Sequence, residues 1–135
     1  MAKTALVTGA SSGIGREIAR DLSARGFRVI LSARREERLR ELAEELGDNT
    51  RVIVCDVSDR EECLRLYEET KNEKISVLVN CAGFGAVGSF DKLPLDTELK
   101  MIDTNVTAGG MFTKMVFLKS FAYAHKAVFE RLCCR

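Results

Sequence analysis

The chain has 135 residues, a length that fits one domain and leaves no room for two. Its 21 Lys and Arg against 20 Asp and Glu give a formal net charge of +1, which removes the field that would draw a nucleic acid or an anionic membrane. Five cysteines, an odd number without C-x-x-C spacing, argue against a zinc site or a redox dithiol and read as reduced thiols, so no metal is expected.

The first element is a strand, Thr4 to Thr8, entered directly from Met1-Ala2-Lys3 without the apolar stretch and cleavage site of a signal peptide. No run reaches the roughly 18 apolar residues of a membrane span, so a soluble, cytoplasmic chain is expected. Ile14, Ile18 and Leu22 then recur at helical spacing, and Gly26 supplies a left-handed stop. A second strand, Phe27 to Leu31, leads to a helix carrying Leu39, Leu42, Ala43 and Leu46 and ending at Gly47. The third strand is Arg51 to Cys55. Ser58 with Glu61 three residues on forms the pattern of a capping box and opens a helix through about Thr70. Ile75 to Asn80 is the fourth strand.

Each strand is nearly all apolar at its centre, as strands buried on both faces are. Three successive β-α-β crossovers predict an α/β fold, a parallel sheet flanked by helices. Right-handed crossovers place the first strand centrally, with the second and third to one side. After Asn80 the glycines Gly83, Gly85 and Gly88 and the single proline, Pro94, predict a ligand-facing loop. A helical pattern returns at about Asp96 with a soft spot at Gly109-Gly110. Met111, Phe112, Met115, Val116, Leu118, Phe121, Ala122, Val128, Phe129 and Leu132 recur in it at helical spacing and read as packing. The single histidine, His125, reads as a helix-surface residue rather than a base or ligand.

The chemistry-bearing segment is Thr8-Gly9-Ala10-Ser11-Ser12-Gly13-Ile14-Gly15, at the junction of the first strand and first helix. Helix-terminal N–H groups and the helix dipole favour a pyrophosphate there, and small residues let the backbone approach it. Ser11 and Ser12 add hydroxyl donors. A glycine loop alone is a weak signal, but at a strand-to-helix junction within a β-α-β unit it points to dinucleotide binding.

The spacing Gly-x-x-x-Gly-x-Gly resembles the signature of the short-chain dehydrogenase/reductase family, whose fold is a Rossmann-like parallel sheet. Three further segments resemble that family in order. Cys55-Asp56-Val57 matches the acidic residue that holds the adenine ring. Leu78-Val79-Asn80-Cys81-Ala82-Gly83 matches an Asn-Asn-Ala-Gly segment, with Cys81 in place of its second asparagine. Asn105 matches the helix asparagine that supports a catalytic lysine through water. The resemblance covers residues 1 to about 108 and implies cofactor contacts from Gly9, Ser11, Ser12, Gly13, Ile14, Gly15, Arg34, Arg35, Asp56, Val57, Asn80, Ala82 and Gly83. It also implies a small-molecule carbonyl or alcohol substrate.

In this fold an acidic residue about 20 positions past the glycine loop bonds the adenosine ribose, while an arginine accommodates a 2′-phosphate. The second strand ends Leu31-Ser32-Ala33-Arg34-Arg35, so bases follow where a carboxylate would stand, and NADP(H) is the expected cofactor. Arg34 can offer a bidentate fork to phosphate oxygens.

The family's catalytic serine and its Tyr-x-x-x-Lys pair normally lie beyond a fifth strand. The catalytic serine and the Tyr-x-x-x-Lys pair are read as lacking here; Tyr123 and Lys126 have two intervening residues and are not expected to substitute for the pair. The chain is therefore expected to be truncated after the fourth strand and the following long helix, and to be inactive alone. The alternatives are a catalytically inactive cofactor- or partner-binding fragment, with the exposed fourth strand and a homo-oligomer through the C-terminal helix as the routes to partners.

Overall fold

A computed structural model describes residues 2–116. In chain order these form β1 (Thr4–Thr8), α1 (Gly13–Ala24), β2 (Arg28–Ala33), α2 (Glu36–Leu46), β3 (Thr50–Val54), α3 (Arg60–Thr70), β4 (Ile75–Asn80) and α4 (Leu95–Ile102). A short 3₁₀ turn, Phe90–Lys92, precedes α4. A π-helical turn, Asp103–Thr107, joins α4 to α5, residues 108–116.

The four strands are parallel in the order β3-β2-β1-β4, so β1 is central with β2 and β3 to one side, as right-handed crossovers require. Alternation along the strands sends neighbouring residues to opposite faces. Ala5, Val7, Val29, Leu31 and Ala33 pack against Ala19 and Leu22 of α1 and Leu39 and Leu42 of α2. Leu6, Ile30, Ile53 and Cys55 face the other way, against Cys63 and Leu66 of α3 and Ala108 and Phe112 of α5. The result is an α/β/α sandwich whose strand C-terminal ends share one edge.

Several local readings shift. The second strand is Arg28–Ala33 rather than Phe27 to Leu31, because Phe27 belongs to the end of α1. Its N–H donates to Leu22 O at 3.1 Å while Gly26 N–H donates to Ser23 O at 2.9 Å, a Schellman closure with Gly26 at φ +80°. The third strand likewise begins one residue earlier, at Thr50. Ser58 does not cap α3: Asp59 does, its carboxylate accepting from the N–H of Glu61 at 2.8 Å and of Glu62 at 3.5 Å. Ile14 is 75% exposed instead of joining the core seam of α1. The irregular turn falls at Asp103–Thr107, and Gly109 and Gly110 are helical. Gly109 lies beside the end of β4, where Asn80 Nδ2 donates to its carbonyl at 3.5 Å. Among the described residues β4 pairs only with β1 and is half-buried, so the expectation of burial on both faces fails for it.

Candidate functional site

A cleft of about 420 Å³ opens at the C-terminal edge of the sheet, lined by the segments that follow all four strands. Every cofactor contact expected from the sequence lines it except Asn80. The glycine loop forms one wall, Ala33 to Arg35 and Cys55 to Val57 form the side beyond β2 and β3, and Cys81 to Phe84 close the other.

The loop's shape is imposed by contacts that only glycine tolerates. At Gly9, φ is +67° and a Cβ would lie 2.6 Å from the backbone of Cys81 and Ala82, so the turn after β1 packs directly on the segment after β4. A Cβ on Gly15 would run into the Gly9 carbonyl. Both positions hold the loop tight against β4 while α1 starts immediately behind it, aiming its N-terminus into the cleft. No acidic residue occupies the first turn of α1 to satisfy that end electrostatically.

Opposite this loop, Arg35 stands at the N-terminal boundary of α2 and extends its guanidinium across the cleft. It donates to Ser11 Oγ at 3.1 Å and Ser12 Oγ at 2.7 Å. Arg34 is exposed, lines the same cleft and has no ion pair among the described residues, since Glu36 pairs with Arg40. Ala33 fills the position where a ribose-binding carboxylate would stand. The result is a cationic corner with two hydroxyls beside it, and among the described residues neither arginine has an ion-pair partner.

Asp56 follows β3 and lines the cleft. Its Oδ1 accepts from Ser58 N–H at 3.0 Å and from Ser58 Oγ–H at 2.7 Å, and its own N–H donates to Glu62 Oε2 at 3.4 Å. Arg65 anchors Glu62 at 2.9 Å and the Val54 carbonyl at 2.6 Å, tying α3 to the end of β3. Beneath this turn Cys55 and Cys63 are both buried, and Cys63 Sγ donates to Val57 O at 3.3 Å. The hydrogen bond to Cys63, with burial, pushes the Cys55 thiol far above its ordinary range. The same hydrogen bond lowers the Cys63 thiol, so only Cys55 is held firmly protonated at neutral pH.

Asn80 and Asn105 are placed differently from the other expected site residues. Asn80 Nδ2 donates to Thr113 Oγ1 at 3.1 Å and to the Gly109 carbonyl, joining β4 to α5. Asn105, in the π-helical turn, accepts from Phe84 N–H and donates to Phe84 O. The sequence reading missed Phe84 and Thr104 as lining residues. Neither carries a local signal, because the loop and the helical turn that bring them to the cleft are joined across the chain by Asn105 and Phe84.

A tyrosine and a lysine four residues apart do occur earlier in the chain, as Tyr67 and Lys71 at the end of α3. They stand at the opposite edge of the sheet from the cleft. There Glu69 and Glu73 pair with Arg51, and Glu73 with Arg28, at the starts of β3 and β2. Lys71 pairs with Glu68. Tyr123, His125 and Lys126, with the apolar residues from Leu118 onward, lie outside the described residues. Among the described residues there is no cluster able to hold a metal ion, and no helix long and apolar enough to cross a membrane.

The pattern of the short chain dehydrogenase family matches residues 3–126. An uncharacterized oxidoreductase of Staphylococcus saprophyticus is 39% identical over 124 residues, covering 87% of this chain and 53% of that protein. A 3-oxoacyl-(acyl-carrier-protein) reductase of Rickettsia prowazekii is 38% identical over 117 residues, covering 87% of this chain and 48% of that protein. Among solved structures, an actinorhodin polyketide ketoreductase with NADPH superposes with a TM-score of 0.81 at 36% identity, over 92% of this chain and 49% of that one. The chain spans about half the length of the curated relatives it matches. Its glycine loop, its parallel sheet and a family match running nearly end to end agree: the chain belongs to the short-chain dehydrogenase family.

Proposed function

We propose that this chain is the NADP(H)-binding portion of an oxidoreductase that transfers hydride between NADP(H) and a carbonyl or alcohol substrate. The observation that carries the choice of cofactor is the corner made by Arg34, Arg35, Ser11 and Ser12, facing Ala33 rather than a carboxylate. A 2′-phosphate would take the two serine hydroxyls and the guanidinium donors of both arginines, and Arg34 has no competing anion to give up. A ribose without the phosphate finds no carboxylate there, only hydroxyls already engaged by Arg35. The ketoreductase with which the chain superposes holds NADPH, in agreement with this reading.

The residues present fit such a cofactor from end to end. The Gly9 to Gly15 loop and the start of α1 would hold the pyrophosphate, Asp56 and Val57 the adenine, and Ala82 and Gly83 the approach to the nicotinamide. Bound NADPH would supply the hydride. The chain's own residues would orient it and exclude water along one wall. Asn105 would act as a positioning residue, fixing Phe84 at the cleft, rather than as a proton carrier.

Titration of the 135-residue chain with NADPH and NADH tests the cofactor assignment. NADPH should bind about tenfold or more tighter, the worth of one or two charge-assisted hydrogen bonds. Arg34→Asp should abolish the difference. Equal affinities in the unaltered protein would overturn the assignment. The 135 residues should also hold NADPH without oxidising it, because the tyrosine and lysine at the family's spacing, Tyr67 and Lys71, stand at the far edge of the sheet. A fall in NADPH absorbance with a simple ketone or aldehyde would contradict this.

A further inference from the structure

We infer that Ser58 is a positioning residue that makes the cleft selective for a purine bearing an exocyclic amino group. The inference rests on the dinucleotide reading above. Asp56 lines the cleft, and both hydrogen bonds to its carboxylate arrive at the same oxygen, Oδ1, from the backbone N–H and the hydroxyl of Ser58. Oδ2 accepts nothing among the described residues. The carboxylate is thus fixed in one orientation, with one oxygen satisfied and one without a partner among the described residues, on a residue that lines the cleft.

A carboxylate oxygen is only an acceptor. The group it selects is a donor, such as the 6-amino group of adenine, and the group it rejects is another acceptor, such as the 6-oxo group of hypoxanthine. Orientation matters because a carboxylate free to rotate would present either oxygen or turn to water, and would discriminate less. The constraint is local and two-pronged. The backbone N–H alone forms a turn around Asp56, while the hydroxyl, at 2.7 Å, supplies the shorter contact. Glu62 holds the Asp56 N–H from the other side, itself fixed by Arg65, so the main chain on which this carboxylate sits is also tied down.

Ser58 is half-buried and does not line the cleft, and the N-cap of α3 is its neighbour Asp59. Its replacement therefore leaves both the cleft wall and the helix start in place. That separation distinguishes positioning from simple structural support.

The test compares NADPH with its hypoxanthine counterpart, in which the 6-amino group is replaced by oxygen, by fluorescence titration of the full 135-residue chain. The unaltered protein should prefer NADPH by about tenfold, one lost charge-assisted hydrogen bond. Ser58→Ala should bring the ratio to within about twofold of unity, and Ser58→Thr, which keeps the hydroxyl, should restore it. Thermal unfolding of each variant is measured alongside. Should Ser58→Ala be poorly folded, Ser58→Thr and Ser58→Cys still decide the matter, because a thiol is a weak donor and should give an intermediate ratio. An unchanged ratio in folded Ser58→Ala, or no preference in the unaltered protein that nevertheless binds NADPH, overturns the inference alone. Failure of the unaltered protein to bind either compound takes down the dinucleotide reading and this inference together.

Discussion

Asn105 and Phe84 share a closed pair of hydrogen bonds: the Phe84 N–H donates to Asn105 Oδ1 at 3.0 Å, and Asn105 Nδ2 donates to the Phe84 carbonyl at 2.9 Å. The side chain imitates a neighbouring strand, satisfying the backbone of one residue in the loop after β4. It reaches that loop from the π-helical turn Asp103–Thr107, where the extra residue changes the direction in which side chains leave the helix. Gly83 permits the approach, since a Cβ there would lie 3.1 Å from Asn105 Oδ1.

Asn105→Ala removes both bonds at once. Because the pair is solvent-exposed, the global cost should be modest, about 1 kcal/mol in urea unfolding. The local effect should be larger: the Phe84 amide should exchange at least about tenfold faster with deuterium, and cofactor should bind less tightly as the cleft wall loosens. Asn105→Asp keeps the acceptor and loses the donor, so it should protect the Phe84 amide yet still weaken the wall. Unaltered exchange at Phe84 in Asn105→Ala would show that the clamp does not govern this loop.

Gly15 gives a case in which two rules oppose each other. It lies in α1, where replacement of glycine by alanine ordinarily stabilises by up to about 1 kcal/mol. Here the added Cβ would meet the Gly9 carbonyl and approach Cys81 Cβ at 3.2 Å. The steric term is the larger, because the partner is backbone in a loop already pressed against β4. Gly15→Ala should therefore lose about 1–3 kcal/mol by denaturant unfolding. Gly9→Ala should lose at least as much, with positive φ adding to the clash. A more stable Gly15→Ala protein would mean that the loop can relax away from β4.

What was legible in the sequence was what is local. The glycine loop announces itself because the tight turn, the close approach and the helix start all fall within Thr8 to Gly15. Arg34, Arg35 and Asp56 are readable because a parallel sheet delivers the ends of β2 and β3 to the same edge as the loop. Asn80 was readable as a motif residue but not as a link to α5, because its partners, Gly109 and Thr113, are some thirty residues away. The same holds for Asn105 and Phe84.

The start of α3 shows a different failure. Ser58 and Asp59 are both good capping residues, and the Glu three positions after Ser58 favoured Ser58. The pattern could not weigh a competing demand on that side chain, since the Ser58 hydroxyl is taken by Asp56 and the cap passes to Asp59. Asp59→Ala should cost about 1 kcal/mol of unfolding free energy while leaving the discrimination between NADPH and its hypoxanthine counterpart intact. Loss of that discrimination in Asp59→Ala would mean that the cap and the Asp56–Ser58 turn are one unit.

Cys81 offers a chemical readout of the cleft. It lines the cleft, is half-buried, and burial pushes its thiol above the ordinary cysteine range. A raised pKa lowers the thiolate fraction at neutral pH, so alkylation by iodoacetamide should be slower than for an exposed cysteine. The rate should go on rising with pH beyond about 8.5, where a free thiol is already half ionised. Cys55 is 1% exposed and its thiol is raised further, so it should remain unmodified over the same interval. Saturating NADPH should slow the reaction at Cys81 by filling the cleft, and peptide-resolved mass spectrometry separates this site from the other four cysteines. Free-thiol reactivity at about pH 7, or indifference to NADPH, would place Cys81 outside the occupied part of the cleft.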